Sequence, residues 1–398
     1  MNRFKKNRSR SLKIYYLQYL NIDHYPPLIN SISIFEKRGW KISLFNASPV
    51  ESELRRDSNI LIKYIRDNKD KKNIWHYICY ALMAIFYALI FKPDVIYLSE
   101  PSACPMGIIL KKLNFNIIYH EHDYPEALLT NRKSFSMKII LQARRMLAKK
   151  VVCILPNFNR KRLFSLEINK SEAEVFSVWN CPLRSSAKEV KKTQQKDFRL
   201  VYIGSINPIR LPLEVLYALK MIQSQVRLKF MGYETLGSLG YITQFMNIAE
   251  KLGIKHNVDY LNPDFSKGRF ELLREADIGI SLMPIKSNNI NEQYMVGASN
   301  KAFEYLSSGV PLLVSNITEW VENYVDQGYA IACDPGNPKS IAAAIQWYIH
   351  HPVERRNMGE LGRMRIIEDW NYENQFESIY RTIENIATSR KLWPPINV

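Results

Sequence analysis

The sequence predicts an α/β protein of two units, each a parallel β-sheet wrapped by helices. Three observations carry that reading. Short apolar segments alternate with helical stretches along the 398-residue chain, as strands buried on both faces of a parallel sheet require. A polar, lysine-rich stretch at Ser185–Asp197 breaks the series in two and reads as a linker. A composition of 46% hydrophobic and 23% charged residues describes folded cores, and 398 residues suffice for two of them.

In the first half the strands are expected at Leu12–Leu17, Lys41–Phe45, Asp94–Leu98, Asn116–His120, Val151–Leu155 and Glu174–Val178. In the second they fall at Phe198–Ile203, Arg227–Gly232, Val258–Leu261, Asp277–Leu282, Val310–Val314 and Tyr329–Cys333, with helices at Leu213–Ser224 and Leu239–Leu252. A last helical stretch, Pro352–Thr388, is interrupted near Trp370. The domains are drawn at 1–186 and 198–364, with a linker at 187–197 and a helical tail at 365–398 returning to the first domain.

Ile74–Phe91 holds one ionisable residue, His76, and sits at the lower length limit of a membrane span. Its exit through Lys92-Pro93 into a strand predicts a buried core helix. A helix in the membrane interface and a span are the other readings.

The formal charge is +17, concentrated in Arg3–Lys13, Arg144–Lys150, Arg160–Arg162 and Lys188–Lys196. Plain solubility accounts for such a charge, and so does attraction to anionic lipid at about 1 kcal/mol per basic residue. No zinc, helix-turn-helix or RNA-sheet signature accompanies it, so a specific nucleic-acid partner is not expected. The five cysteines, Cys79, Cys104, Cys153, Cys181 and Cys333, contain no Cys-x-x-Cys pair. They fit neither a disulfide framework nor a zinc site, and a reducing cytoplasm is the natural setting. Cys79, Cys104, Cys153 and Cys333 lie in apolar stretches and are expected in or near the core. No signal-peptide core follows the basic N-terminus.

Chemistry concentrates in three places. Ser299–Ser315 reads as a short helix bearing Lys301 and Glu304, a Gly-Val-Pro turn and a buried strand. A helix N-terminus favours an anion, and a carboxylate one turn on can accept both hydroxyls of a ribose. Gly204–Arg210 reads as the turn between a strand and a helix, at the sheet edge where open α/β folds bind ligands. Ile117–Glu126 sets His120, Glu121, His122 and Asp123 at a strand end, where an imidazole can move a proton near neutral pH. A metal on this cluster is not expected, because a continuing strand would point His120 and His122 to one face and the interleaved Glu121 and Asp123 to the other.

These segments resemble glycosyltransferase family 4, the glycosyl transferases group 1, with a GT-B fold: two Rossmann-like domains facing across a cleft. The resemblance implies retaining transfer of a sugar from a nucleotide-diphosphate donor to a glycan or lipid-linked acceptor in cell-surface polysaccharide or glycolipid synthesis. No cofactor is implied, and the setting is cytoplasmic or peripheral on the inner membrane face. Glu304 matches the glutamate that binds the donor ribose. The first glutamate of that pattern falls on Val296, so the sugar would meet Val296–Asn300 through backbone amides and through Ser299 and Asn300. The two basic residues that neutralise the diphosphate fall on Ser205 and Arg210. Arg210 suits the task and Ser205 does not, which leaves Lys301 as a substitute, and Gly204 is expected at the donor with them. Leu261, within Tyr260–Asp264, stands where the family grips the base. His122 and Asp123 take the places of the catalytic histidine and acidic residue, and His120 replaces an aspartate. Acceptor contacts are expected from Asn21–Pro27 and Ser99–Pro105, with Glu100 and, at the strand end, His120 as the candidates. Alternatives are a catalytically silent assembly partner on the same fold, motivated by Val296 and Ser205, or a sugar-nucleotide epimerase.

Overall fold

The computed structural model describes residues 10–47, 60–65, 74–125, 128, 134–187, 197–222, 225–261 and 268–389. The chain divides into two compact units, Met1–Asn180 with Tyr372–Val398 and Cys181–Asn371. The linker residues 188–196, the basic positions before Arg10, Glu126 and Asn262–Asp264 lie outside the described residues.

The first unit contains strands β1 (Lys13–Gln18), β2 (Lys41–Asn46), β3 (Ile60–Tyr64), β4 (Val95–Ser99), β5 (Ile117–His120), β6 (Val152–Leu155) and β7 (Val175–Ser177). Its helices are α1 (Pro26–Lys37), α2 (Ile74–Phe91), α3 (Cys104–Lys112), α4 (Phe135–Ala148) and α5 (Phe158–Ile168). All strand pairs are parallel, in the order β3-β2-β1-β4-β5-β6-β7. One face of the sheet, with Tyr15, Leu17, Ile96 and Leu98, is covered by α2, α3, α4 and α5. Alternate residues Tyr16 and Tyr97 point the other way, and Tyr16 meets Phe35 of α1.

The second unit contains β8 (Phe198–Ile206), β9 (Val226–Glu234), β10 (Val258–Leu261), β11 (Ile278–Ser281), β12 (Leu312–Ser315) and β13 (Ala330–Cys333). With them come α6 (Glu214–Met221), α7 (Tyr241–Lys251), α8 (Gly268–Glu275), α9 (Ile290–Gln293), α10 (Asn300–Ser307), α11 (Thr318–Trp320), α12 (Pro338–His350) and α13 (Pro352–Glu368). The parallel sheet runs β10-β9-β8-β11-β12-β13. In both units the strand order reverses beside the first strand, at β1/β4 and at β8/β11. That reversal opens the crevice where such sheets take ligands.

The expected last helical stretch breaks as anticipated, into α13 and α14 (Tyr372–Thr388). Helix α14 belongs to the first unit, where Phe376 and Tyr380 close on Phe35 and Trp40 and the Trp40 indole donates to the Tyr380 hydroxyl at 3.1 Å.

Three expectations are corrected. Strand β3 was not foreseen. Helix α2 is not a buried core helix: only Tyr80, Ala84 and Ala88 are buried, one residue per turn. Cys79 is exposed on it, while Cys181 joins Cys104, Cys153 and Cys333 in the interior.

Candidate functional site

The donor-side candidates of the second unit gather at the carboxyl edge of its sheet. Strand β8 runs three residues past the expected Ile203, so Gly204 and Ser205 lie in the strand, and the turn begins at Asn207. The cause is a close approach of two backbones. Gly204 pairs with Gly232 of β9, and a Cβ on Gly232 would stand 1.7 Å from the Gly204 carbonyl oxygen. No side chain fits there, and β8 stays paired as far as Ile206 and Glu234.

The turn then aims Arg210 back at the strand. The Asn207 side chain accepts from the Ile209 and Arg210 amides at 3.1 and 2.9 Å, an Asx turn that fixes the backbone. The Arg210 guanidinium donates to the Ser205 hydroxyl at 2.9 Å. Ser205, although not basic, thus orients the one cation of this turn.

Helix α10 supplies the opposite wall. Its Tyr305 is buried and accepts the Ile203 amide at 2.8 Å, which locks the helix against β8. Gly309, at φ +66°, provides the left-handed residue that ends the helix ahead of β12. With α10 so placed, the Lys301 ammonium lies 3.7 Å from the centre of the Tyr202 ring, a cation–π seat. Enclosure pushes Lys301 well below the usual lysine range, and the neighbouring Arg210 adds to that shift. Glu304, with its side chain 21% exposed, pairs with Arg269 of α8. Its pKa is raised by enclosure, against the pull of Arg269 and Lys301. Lys301 thus lies among Arg210, Arg269 and Glu304, two guanidiniums against one carboxylate, so the cluster holds an excess of positive charge even where the Lys301 amine is neutral.

The segment leading into α10 differs from its expectation. The Ala298 and Ser299 amides both donate to the Met295 carbonyl at 3.0 Å, so these two are committed to a turn. Val296 is buried. Ser299 holds the N-cap position of α10 without a capping bond from its hydroxyl, and Asn300 opens the helix. Leu261 ends β10, paired with Met231 of β9, apart from this cluster by two strands of the sheet order.

In the first unit the strand-end residues interlock. Strand β5 stops at His120, and the turn that follows brings the two imidazoles to 3.9 Å between ring centres. The expected split of the two histidines from Glu121 and Asp123 required the strand to continue. The His120 Nδ1 meets the Tyr97 hydroxyl at 2.7 Å and the His122 Nε2 the Ser99 hydroxyl at 3.1 Å. Burial pushes His122 down to about 4 and His120 well below its ordinary value, so both rings are neutral at pH 7. Glu100, expected at the acceptor, turns inward at φ +70° and accepts the His122 amide at 3.1 Å. Burial, with Asp123 and Glu121 nearby, raises its carboxyl well above the usual range. The Asp123 side chain is exposed and pairs with Arg160 at 3.3 Å.

Sequence reasoning gave no role of their own to four participants. Glu121 is buried and held by Arg144 at 2.5 and 2.8 Å and by the Tyr119 hydroxyl at 2.6 Å. Arg144 reaches on to Glu167 at 2.8 and 3.1 Å. Arg269 lies outside every motif. Gln18, the last residue of β1, is fully buried beside the strand-order reversal, in register with Asn46 and Ser99. Neither its amide nitrogen nor its oxygen has a hydrogen-bond partner, and the His120 Nε2 and His122 Nδ1 lack one too. A polar residue ending an apolar strand was the one signal available for it.

Residues 184–365 match the family model described as glycosyl transferases group 1. No curated protein sequence matches the chain. Among solved structures the chain is similar to HepE of Anabaena in complex with UDP and glucose, at 14% identity and TM-score 0.73, over 94% of this chain and 99% of that one. A glycosyltransferase of Rickettsia africae aligns at 12% identity and TM-score 0.74, over 96% and 100%. WaaG, a glycosyltransferase involved in lipopolysaccharide biosynthesis, aligns at 12% and 0.67, over 95% and 100%. These likenesses show the fold, and the family match falls within the second unit, where Arg210, Lys301 and Glu304 meet. Over residues 184–365 the chain is thus similar to the glycosyl transferases group 1, and its two parallel-sheet units have the GT-B fold of these structures.

Proposed function

We propose that the protein transfers a sugar, with retention of configuration, from a nucleoside diphosphate donor to a glycan or lipid-linked acceptor in cell-surface polysaccharide or glycolipid synthesis. The observation that carries this reading is the cluster in which Arg210 and Arg269 flank Lys301 beside Glu304 at the edge of the second sheet. A diphosphate supplies the negative charge that the cluster lacks, and a guanidinium takes two of its oxygens. Glu304 releases Arg269 to the phosphates and accepts the ribose hydroxyls in its place. The same cations then stabilise the leaving diphosphate, a preorganised electrostatic contribution. HepE, which shares the fold, is solved with UDP and with UDP-glucose, in keeping with a nucleotide-sugar donor. In the first unit the neutral His122 and the unpaired polar atoms of Gln18 and His120 suit hydroxyl groups, and Asp123 lies at the same strand end.

The test is thermal unfolding against uridine, guanosine, adenosine and cytidine diphosphates, alone and as sugar conjugates. The matching ligand at a hundred times its Kd stabilises the fold by about 2.7 kcal/mol. That shift is expected to disappear in Glu304→Ala and to shrink in Glu304→Gln. A well-folded wild type with no shift for any nucleotide overturns the reading in favour of a silent assembly partner. Release of nucleoside diphosphate that proceeds equally without an acceptor favours an epimerase.

A further inference from the structure

Helix α2 is seated unlike the other helices of its unit. Tyr80, Ala84 and Ala88, four residues apart, rest on the sheet, and small residues at two of these positions bring the helix close. Three tyrosines tie it down: Tyr80 donates to the Phe45 carbonyl at 3.1 Å, Tyr77 to the Ser102 carbonyl at 2.6 Å, and Tyr15 to the Ala84 carbonyl at 3.2 Å. By length and composition α2 could cross a membrane, but these ties fix it along the sheet. Its outer face is nevertheless apolar, with Trp75 70%, Leu82 64% and Phe86 58% exposed.

The neighbouring helices continue this surface. Helix α3 packs between α2 and α4, with Ile109 exposed, and α4 exposes Phe135 at 80% and Ile139. None of the three helices contains an aspartate or glutamate. Lys92, Lys112, Lys138, Lys149 and Lys150 stand exposed at their ends and along α4. On the opposite face of the same sheet, α14 carries Glu373, Glu377 and Glu384. Apolar residues mixed with lysines and no carboxylate match the chemistry of a bilayer surface, where the apolar groups enter the headgroup boundary and the lysines meet anionic phosphates.

We infer that α2, α3 and α4 form a docking face for an anionic lipid bilayer, with α2 lying in the plane of the headgroups. A second copy of the chain is a poorer occupant. A two-fold interface sets a patch against itself, and lysines would then oppose lysines without a counter-charge. The inference rests on the surface of the first unit and not on the transfer reading, and is tested without nucleotide.

The experiment is flotation of the full chain with phosphatidylcholine vesicles, with and without phosphatidylglycerol, at low and high salt. Wild type is expected to float with the phosphatidylglycerol vesicles at low salt and to be released by salt. Leu82→Ser/Phe86→Ser, at exposed positions, is expected to bind at least ~10-fold more weakly. Lys112→Gln/Lys149→Gln/Lys150→Gln is expected to lose about five-fold per lysine. Unchanged circular-dichroism melts show that both variants fold. Equal flotation with the two vesicle types, or variants that bind as wild type, overturns the inference. So does a dimer, seen by sedimentation, that Leu82→Ser/Phe86→Ser dissociates while no vesicle binds.

Discussion

At the sheet edge of the first unit Arg144 lies between Glu121 and Glu167, Arg145 also meets Glu167 at 3.4 Å, and Tyr119 completes the shell. At the edge of the second unit Arg210 and Arg269 flank Lys301, with Glu304 as the carboxylate beside it. The first arrangement is closed: its charges answer one another, and it holds a loop in place. The second is open: its cations outnumber their counter-charges, and an anion from outside would complete it. Abundance of ionisable groups at a strand end is therefore a weak sign of ligand binding. An uncancelled charge is a stronger one.

The sharpest way to break this comparison is to open the closed network. Arg144→Met leaves Glu121 buried without its cation. Removing one partner of a buried ion pair costs about 3–5 kcal/mol, read as a lower urea midpoint for the first unit. Adding Glu121→Gln should restore part of the loss. A cost under about 1 kcal/mol would show that the network is not closed and that water already reaches Glu121.

The next effect is one of pH. His122 titrates near 4 in the fold, against an ordinary value of 6.5. Below 6.5 the unfolded chain takes up a proton that the folded one refuses, so stability falls as pH drops from 6.5 towards 4. The loss amounts to at most about 3 kcal/mol. In His122→Gln the slope of stability against pH over that window should flatten by about one proton. An unchanged slope would mean that the ring is already protonated in the fold or open to water.

The smallest effect sharpens the comparison in the second unit. Ser205→Ala removes the hydroxyl that orients Arg210, a bond contributing about 0.5–1.5 kcal/mol. Nucleoside diphosphate affinity, measured by calorimetry, should weaken by ~10-fold or less. Loss of all binding would make Ser205 a direct ligand.

The strands that the sequence revealed are those whose burial leaves an apolar run, such as β4, with all five residues buried. Strand β3 escaped because it is an edge, with Leu61 50% and Tyr64 37% exposed, and an edge strand need not be apolar. The same rule misled in reverse at α2, where an apolar run signals burial only if something covers it. In the second site Glu304 and Lys301 were legible because one helical turn places them together. Arg269 was not, because it reaches Glu304 across 35 residues of chain. The extension of β8 through Ser205 was hidden as well, since it depends on Gly232, a residue on another strand.

Helix α14 sets a schedule for synthesis. Trp40 and Tyr380 are 340 residues apart, and at 5–20 residues per second a ribosome needs tens of seconds to join them. During that interval Phe35, Trp40 and their neighbours lack the cover that α14 gives them, while the second unit, Cys181–Asn371, is one unbroken segment and can fold as it emerges. The half of the protein made first is thus the half completed last, and its early apolar surface is a natural place for a chaperone to hold the nascent chain.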